Sequence, residues 1–175
     1  VSLDINHSGD KVAFTSNRDL KAGHNGDLNF EVFVLHAAGT IDQYTETSTT
    51  VRNQHVRVGS SGQVVYTSNG NMTGGNSDGN TEVYFQWTAS DAPVQVTNTT
   101  GGDDNFGGAN CRPEINYDAT KIVFQSNRDL VPGGNSDGNR ELFMATRSSQ
   151  DAITFEQVTS STRALAGTPI HTDYA

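Results

Sequence analysis

The pentapeptide Ser16-Asn17-Arg18-Asp19-Leu20 returns letter for letter at Ser126-Asn127-Arg128-Asp129-Leu130, and in weaker form at Ser68-Asn69-Gly70-Asn71-Met72. Downstream of each copy stands a second shared block: NGDLNFEVF (25–33), NSDGNTEVY (76–84) and NSDGNRELF (135–143). Upstream, LDINHSGDKVAF (3–14) matches PEINYDATKIVF (113–124) without a gap, and VRVGSSGQVVY (56–66) matches both with one residue missing. The period is 52 residues from Phe14 to Tyr66 and 58 from Tyr66 to Phe124, the excess lying in joining loops such as 99–112. Periods of this order, with strands throughout, mean propeller blades or arrays.

Each repeat holds four strand candidates. In the third they are residues 114–117, 121–126, 140–145 and 154–159, each short and bounded by Gly, Asn, Asp or Ser. The second strand alternates, with Val12, Phe14 and Ser16 on one side and Ala13 and Thr15 on the other. The continuous apolar run Val32–Leu35 suits an inner strand covered on both faces. His7-Ser8-Gly9-Asp10 and Ser60-Ser61-Gly62-Gln63 carry hairpin chemistry. The expected fold is all-β: one β-propeller segment over residues 1–175, with four-stranded antiparallel blades at 3–45, 56–97 and 114–160. Residues 168–175 align with 112–119 and predict the entry strand of a fourth blade. A propeller needs at least four blades to close, so a partial propeller is expected, completed by further sequence or by other copies.

Composition agrees. There are 18 Gly and few of the residues that fill helices. The formal net charge is −9 with three lysines, Lys11, Lys21 and Lys121. No basic stripe exists to displace counterions, which argues against a nucleic-acid partner. No run of about 18 apolar residues occurs, so no membrane insertion is expected. An acidic, lysine-poor, Asn- and Thr-rich chain leans towards a periplasmic or extracellular location. Cys111 is alone and reads as a small buried hydrophobe.

The entry strand, a tight turn (Ser8-Gly9), an apolar strand (Val12-Ala13-Phe14), Ser16-Asn17-Arg18 and Glu31-Val32-Phe33, with equivalents in the other two repeats, together resemble the WD-like propeller repeat of TolB and Tricorn-type proteins. The resemblance covers nearly the whole chain. It implies blades of four antiparallel strands, usually six or more per ring, and export in the TolB branch. Members of that family bind proteins or peptides, gate proteases or act as scaffolds. The loops here are longer, and Gly70 replaces the arginine in the second repeat.

The loop N-x-D-x-N-x-E offers oxygen ligands at alternate positions: Asn25, Asp27, Asn29 and Glu31; Asn76, Asp78, Asn80 and Glu82; Asn135, Asp137, Asn139 and Glu141. Calcium takes six to eight oxygens, and a tight loop can turn alternating side chains towards one point. Calcium is therefore the candidate cofactor. The competing reading is a hairpin turn whose Asn and Asp bond their own backbone. Gly79 and Gly138 relieve the backbone, whereas the first loop has Leu28.

Residues 75–79 and 134–138 satisfy G-x-S-x-G, but a strand follows instead of the helix that a nucleophile elbow needs, and Gly26 replaces the serine in the first repeat. Ser77 and Ser136 are thus not read as nucleophiles. His7, His24, His36, His55 and His171 show no paired ligand spacing. Arg18 and Arg128 are expected to pair with carboxylates or carbonyls inside their own blades. Asn6, Asn71 and Asn98 begin N-x-S/T sequons. The expected function is a non-enzymatic, extracytoplasmic binding or scaffold module whose partner is a protein or peptide, including copies of itself. Two alternatives stand beside it: a structural subunit that assembles by strand or blade completion, and the propeller portion of a larger peptidase.

Overall fold

The computed structural model describes residues 2–101, 109–148 and 152–162. Residues 168–175, expected to open a fourth blade, and His171 lie outside them. The described residues form twelve strands. The first sheet holds β1 (Leu3–Ile5), β2 (Lys11–Ser16), β3 (Glu31–His36) and β4 (Ile41–Gln43); the second holds β5 (Asn53–Val58), β6 (Val64–Ser68), β7 (Glu82–Gln86) and β8 (Val94–Gln95). The third holds β9 (Asn110–Ile115), β10 (Lys121–Ser126), β11 (Glu141–Arg147) and β12 (Ile153–Gln157). Each sheet is an antiparallel meander in chain order. No helix among the described residues is long and apolar enough to cross a membrane.

The entry strands β5 and β9 begin upstream of Val56 and Glu114, where the repeat alignment places them. The reason is a β-bulge in each: the register shifts between Gln54 and Arg57, and again opposite Val123–Gln125. Each bulge absorbs an extra residue in a left-handed conformation, His55 (φ 51°) and Arg112 (φ 51°). The tight turns behave as their glycines predict, with positive φ at Gly9 and Gly62; Ala119 takes the same conformation in the third blade.

Blades stack face to face. On the second strand Ala13 and Thr15 are buried while Val12 and Phe14 are half-buried, and Val32, Phe33 and Val34 are fully buried. Ala13, Val32 and Val34 of the first blade share a core cluster with Val56, Val58, Val64, Tyr66 and Tyr84 of the second. Val65, Val83, Phe85 and Val96 of the second share another with Ala119, Ile122, Phe124, Phe143 and Ala145 of the third. At this second seam the Arg147 guanidinium lies 3.4 Å from the Phe85 ring centroid and 4.9 Å from that of Trp87, a cation–π contact that covers the apolar edge.

Candidate functional site

The N-x-D-x-N-x-E loops fold alike in all three blades. The first Asn is buried and crosses the loop: Asn25, Asn76 and Asn135 donate Nδ2 to the carbonyls of Asn29, Asn80 and Asn139 at 3.1, 2.9 and 2.9 Å. The entrance is tied by the fourth side chain of the upstream motif. Asp19 accepts from the backbone of Gly23, His24 and Asn25, Asp129 from Gly133 and Asn135, and Asn71 from Asn76. Those N–H donors hold the Asp19 and Asp129 carboxyls below the usual range. In the first loop Leu28 adopts φ 57°, where Gly79 and Gly138 have 68° and 64°.

The second Asn reaches away from the loop. Asn29 donates to the Thr47 carbonyl (3.0 Å), Asn80 to that of Thr99 (2.8 Å) and Asn139 to that of Ser161 (2.8 Å). The glutamates turn to the same segment. Glu31 Oε1 accepts from the Thr47 N–H at 2.6 Å and its hydroxyl at 2.8 Å. Glu82 Oε1 does the same with Thr99 (2.6 and 2.7 Å), and Glu141 Oε1 with Ser161 (2.6 and 2.6 Å). The second carboxylate oxygen faces the next blade. Asn53, first residue of β5, donates Nδ2 to Glu31 Oε2 at 3.1 Å, and Asn110, first of β9, donates to Glu82 Oε2 at 3.0 Å. The hydroxyls of Thr97 and Thr159 also donate to Glu82 and Glu141. The same glutamate thus clasps the exit of its own blade to the entrance of the following one.

Burial raises the Glu82 pKa despite these donors, whereas at Glu141 the Ser161 and Thr159 bonds outweigh burial and the pKa falls.

The twelve ligand candidates therefore divide. The asparagines and glutamates are tied into the loop and clasp, while Asp27, Asp78 and Asp137 are exposed. Asp78 accepts from the Gly101 N–H at 2.6 Å. The Oδ1 atoms of Asn25, Asn29, Asn76, Asn80, Asn135 and Asn139 are buried without a hydrogen-bond partner, so each repeat keeps two buried oxygen acceptors to spare. Among the described residues no three His, Cys, Asp or Glu side chains gather as a metal centre. The clasp partners were not singled out from sequence, although a signal exists: Thr45-Glu46-Thr47, Thr97-Asn98-Thr99 and Thr159-Ser160-Ser161 follow the fourth strand in each repeat.

Other side chains fall as follows. Arg128 donates to the Gly101 carbonyl, which belongs to the preceding repeat and not to its own blade. Arg140 lies 3.0 Å from the buried Cys111 sulfur, and burial raises that thiol's pKa. Asn6 is buried and its amide is committed to Ser8, Asp10 and the Ser60 carbonyl, which sets it apart from the exposed Asn71 and Asn98. His24 and His36 face Glu46 and Asp42 at 3.4 and 2.9 Å. Ser2, Thr15, Phe30, Asn53, Gln54 and His55 line an open cleft of about 200 Å³ between the first and second blades.

Three side-by-side, four-stranded antiparallel meanders define the class: an array of β-propeller blades. Among solved structures the chain is similar to the tricorn protease, with a TM-score of 0.48 and 12% identity over 91% of this chain and 12% of that one. The chain thus spans 12% of that protein's length. No family model and no curated protein matches it.

Proposed function

We propose that this chain is a non-enzymatic binding and scaffold module of an extracytoplasmic propeller, and that it recognises a protein or peptide at the cleft between its first two blades. The cleft is the observation that carries this reading. At about 200 Å³ it has room for one side chain and is smaller than the usual pocket for a small-molecule ligand. Its rim offers an aromatic anchor, Phe30, which is 42% exposed, beside the polar Gln54, His55, Ser2 and Thr15. Such a mix suits a peptide held by one anchored side chain. Ser77 and Ser136 stand in exposed turns that lead into strands, a poor setting for a nucleophile. The acidic, lysine-poor composition supports the location.

Selection of a displayed peptide library on the immobilised chain tests the binding role. Enriched peptides should share one apolar or aromatic residue and lose affinity tenfold or more on Phe30→Ala. Absence of any enriched family, or binding indifferent to Phe30, would remove the peptide reading. Labelling of either serine by an active-site phosphonate would remove the non-enzymatic one.

The loops support a second, compatible proposal, a calcium ion in each. The buried, unpartnered oxygens of Asn25 and Asn29, and of their equivalents, are the observation that favours it. In this form the glutamates are second to the asparagines as ligands, because their oxygens already face N–H and O–H donors.

A further inference from the structure

The polar atoms that line the cleft between the first two blades are unevenly satisfied. Ser2 Oγ accepts from the Val56 N–H at 3.1 Å, and Thr15 Oγ1 from the Ser2 N–H at 3.0 Å. Two acceptors remain open. Asn53 commits its amide nitrogen to the Phe30 carbonyl, Glu31 and Thr47, but its Oδ1 is buried without a hydrogen-bond partner. The matching atom of Asn110, one blade on, accepts from the Ser126 hydroxyl at 2.7 Å.

The second open acceptor is on His55. The Thr67 hydroxyl has one proton, which goes to the Gln54 carbonyl at 3.2 Å, a group that can only accept. The 3.1 Å contact between His55 Nδ1 and Thr67 Oγ1 therefore needs the proton on Nδ1. In the neutral ring Nε2 is then an acceptor, and no described residue bonds it. The bulge, with His55 at φ 51°, turns this side chain out of the regular ladder. His55 is half-exposed and within a ligand's reach, whereas Asn53 is fully buried.

Charge narrows the occupant. Arg57 on the same strand and Arg112 on β9 put a positive field on His55. The other ionisable groups on the strands around it are committed. Glu114 of β9 is held by Arg57 at 2.8 Å, and Asp4 of β1 accepts from the Val58 N–H at 2.9 Å. Lys11 of β2 pairs with Asp10 at 2.9 Å, Glu31 of β3 sits in the clasp, and Tyr66 of β6 is fully buried. A Lys or Arg side chain would enter against two arginines. A carboxylate would set its lone pairs against those of His55 and Asn53. A phenylalanine would cover Nε2 and leave it unsatisfied.

We infer that the cleft selects an aromatic side chain with a hydrogen-bond donor, tyrosine or tryptophan, whose ring packs on Phe30 while its O–H or N–H donates to His55 Nε2. This rests on the peptide reading of the cleft given above and names the residue that the cleft selects. Tyr and Trp join a large apolar body to one polar tip, which matches Phe30 beside an open acceptor. Protonation turns Nε2 from acceptor into donor, so the preference holds while His55 is neutral and is lost as the pH falls through its folded pKa.

The test uses five capped peptides, Gly-Gly-X-Gly-Gly with Tyr, Trp, Phe, Lys or Glu at X, titrated into the full chain and followed by NMR at Phe30 and His55. At pH 7.5 the Tyr and Trp peptides should bind about tenfold more tightly than the Phe peptide, with Lys and Glu weaker still. The advantage over Phe should vanish along the titration curve of the His55 ring, read in the same samples. His55→Asn, which tolerates the left-handed backbone, should bring Tyr, Trp and Phe within about twofold of one another. Equal binding of Phe, tightest binding of Lys or Glu, or a preference unmoved by both pH and His55→Asn would each overturn the inference and leave the peptide site standing. No shift at Phe30 or His55 with any of the five would remove the peptide site itself, and the inference with it.

Discussion

Asn110, the first residue of β9, donates its side-chain amide to Glu82 of β7 at 3.0 Å and so hooks the entrance of the third blade onto an inner strand of the second. Asn53 and Glu31 repeat the contact one blade earlier. A buried carboxylate needs its hydrogen bonds, and its donors need it. Glu82 receives donors from Thr97, Thr99 and Asn110. Glu82→Ala strands all of them and should lower stability by about 2–4 kcal/mol; Asn110→Ala, which leaves the carboxylate its threonine donors, should cost about 1–2 kcal/mol. Urea unfolding measures both. A Glu82→Ala loss under about 0.5 kcal/mol, the ordinary range for surface changes, would show that the clasp does not hold the seam.

His55 gives a pH signature. Burial, then the neighbouring charges of Arg112 and Arg57, lower its pKa below the ordinary 6.5. The unfolded chain therefore binds a proton that the folded chain refuses, so stability rises with pH in that window. The contribution is complete above about pH 6.5 and is lost as the pH falls towards the folded value. Asn tolerates the left-handed backbone of this position. His55→Asn should therefore show a smaller drop in melting temperature between pH 7.5 and pH 5 than the wild type. Parallel profiles would place the titration elsewhere.

Leu28 sits at φ 57° in a position that is glycine in the other two loops, and the residue is 55% exposed. Left-handed backbone costs an L-residue about 1–2 kcal/mol, partly offset by the extra freedom of glycine in the unfolded chain. Leu28→Gly should stabilise the protein by about 0.5–1 kcal/mol. Gly79→Ala should destabilise it by about 1 kcal/mol through backbone strain alone, since the nearest atom to an added Cβ is the Asn69 carbonyl oxygen at 4.0 Å. Unfolding midpoints that move the other way would mean that the loop relaxes out of this conformation.

Calcium at the loops predicts a higher melting temperature in calcium than in chelator, by mass action on the folded state. Asn25→Ala, Asn76→Ala and Asn135→Ala together should abolish the difference, and Asp78→Ala with Asp137→Ala should reduce it. Equal midpoints for the wild type in calcium and chelator would leave the loops as hairpin turns whose spare oxygens are met by water.

The sequence by itself determined the blade. Alternation in Val12–Ser16, the apolar run at Val32–Leu35 and the Gly-bearing turns act over a few residues, and their threefold recurrence made four strands per repeat legible. It also marked the N-x-D-x-N-x-E loop as one unit, without telling which side chains face inward, because one polar spacing serves a turn, a ligand set and a clasp alike. Tertiary structure decided that. Glu31 meets Thr47 and Asn53, which are 16 and 22 residues away, and Glu82 meets Asn110 across 28. The bulges at His55 and Arg112 likewise depend on the neighbouring strand. Which face of each blade is buried was also beyond local pattern, since both faces are apolar and only the stacking of one blade on the next separates Val34, fully covered, from Met144, half-exposed.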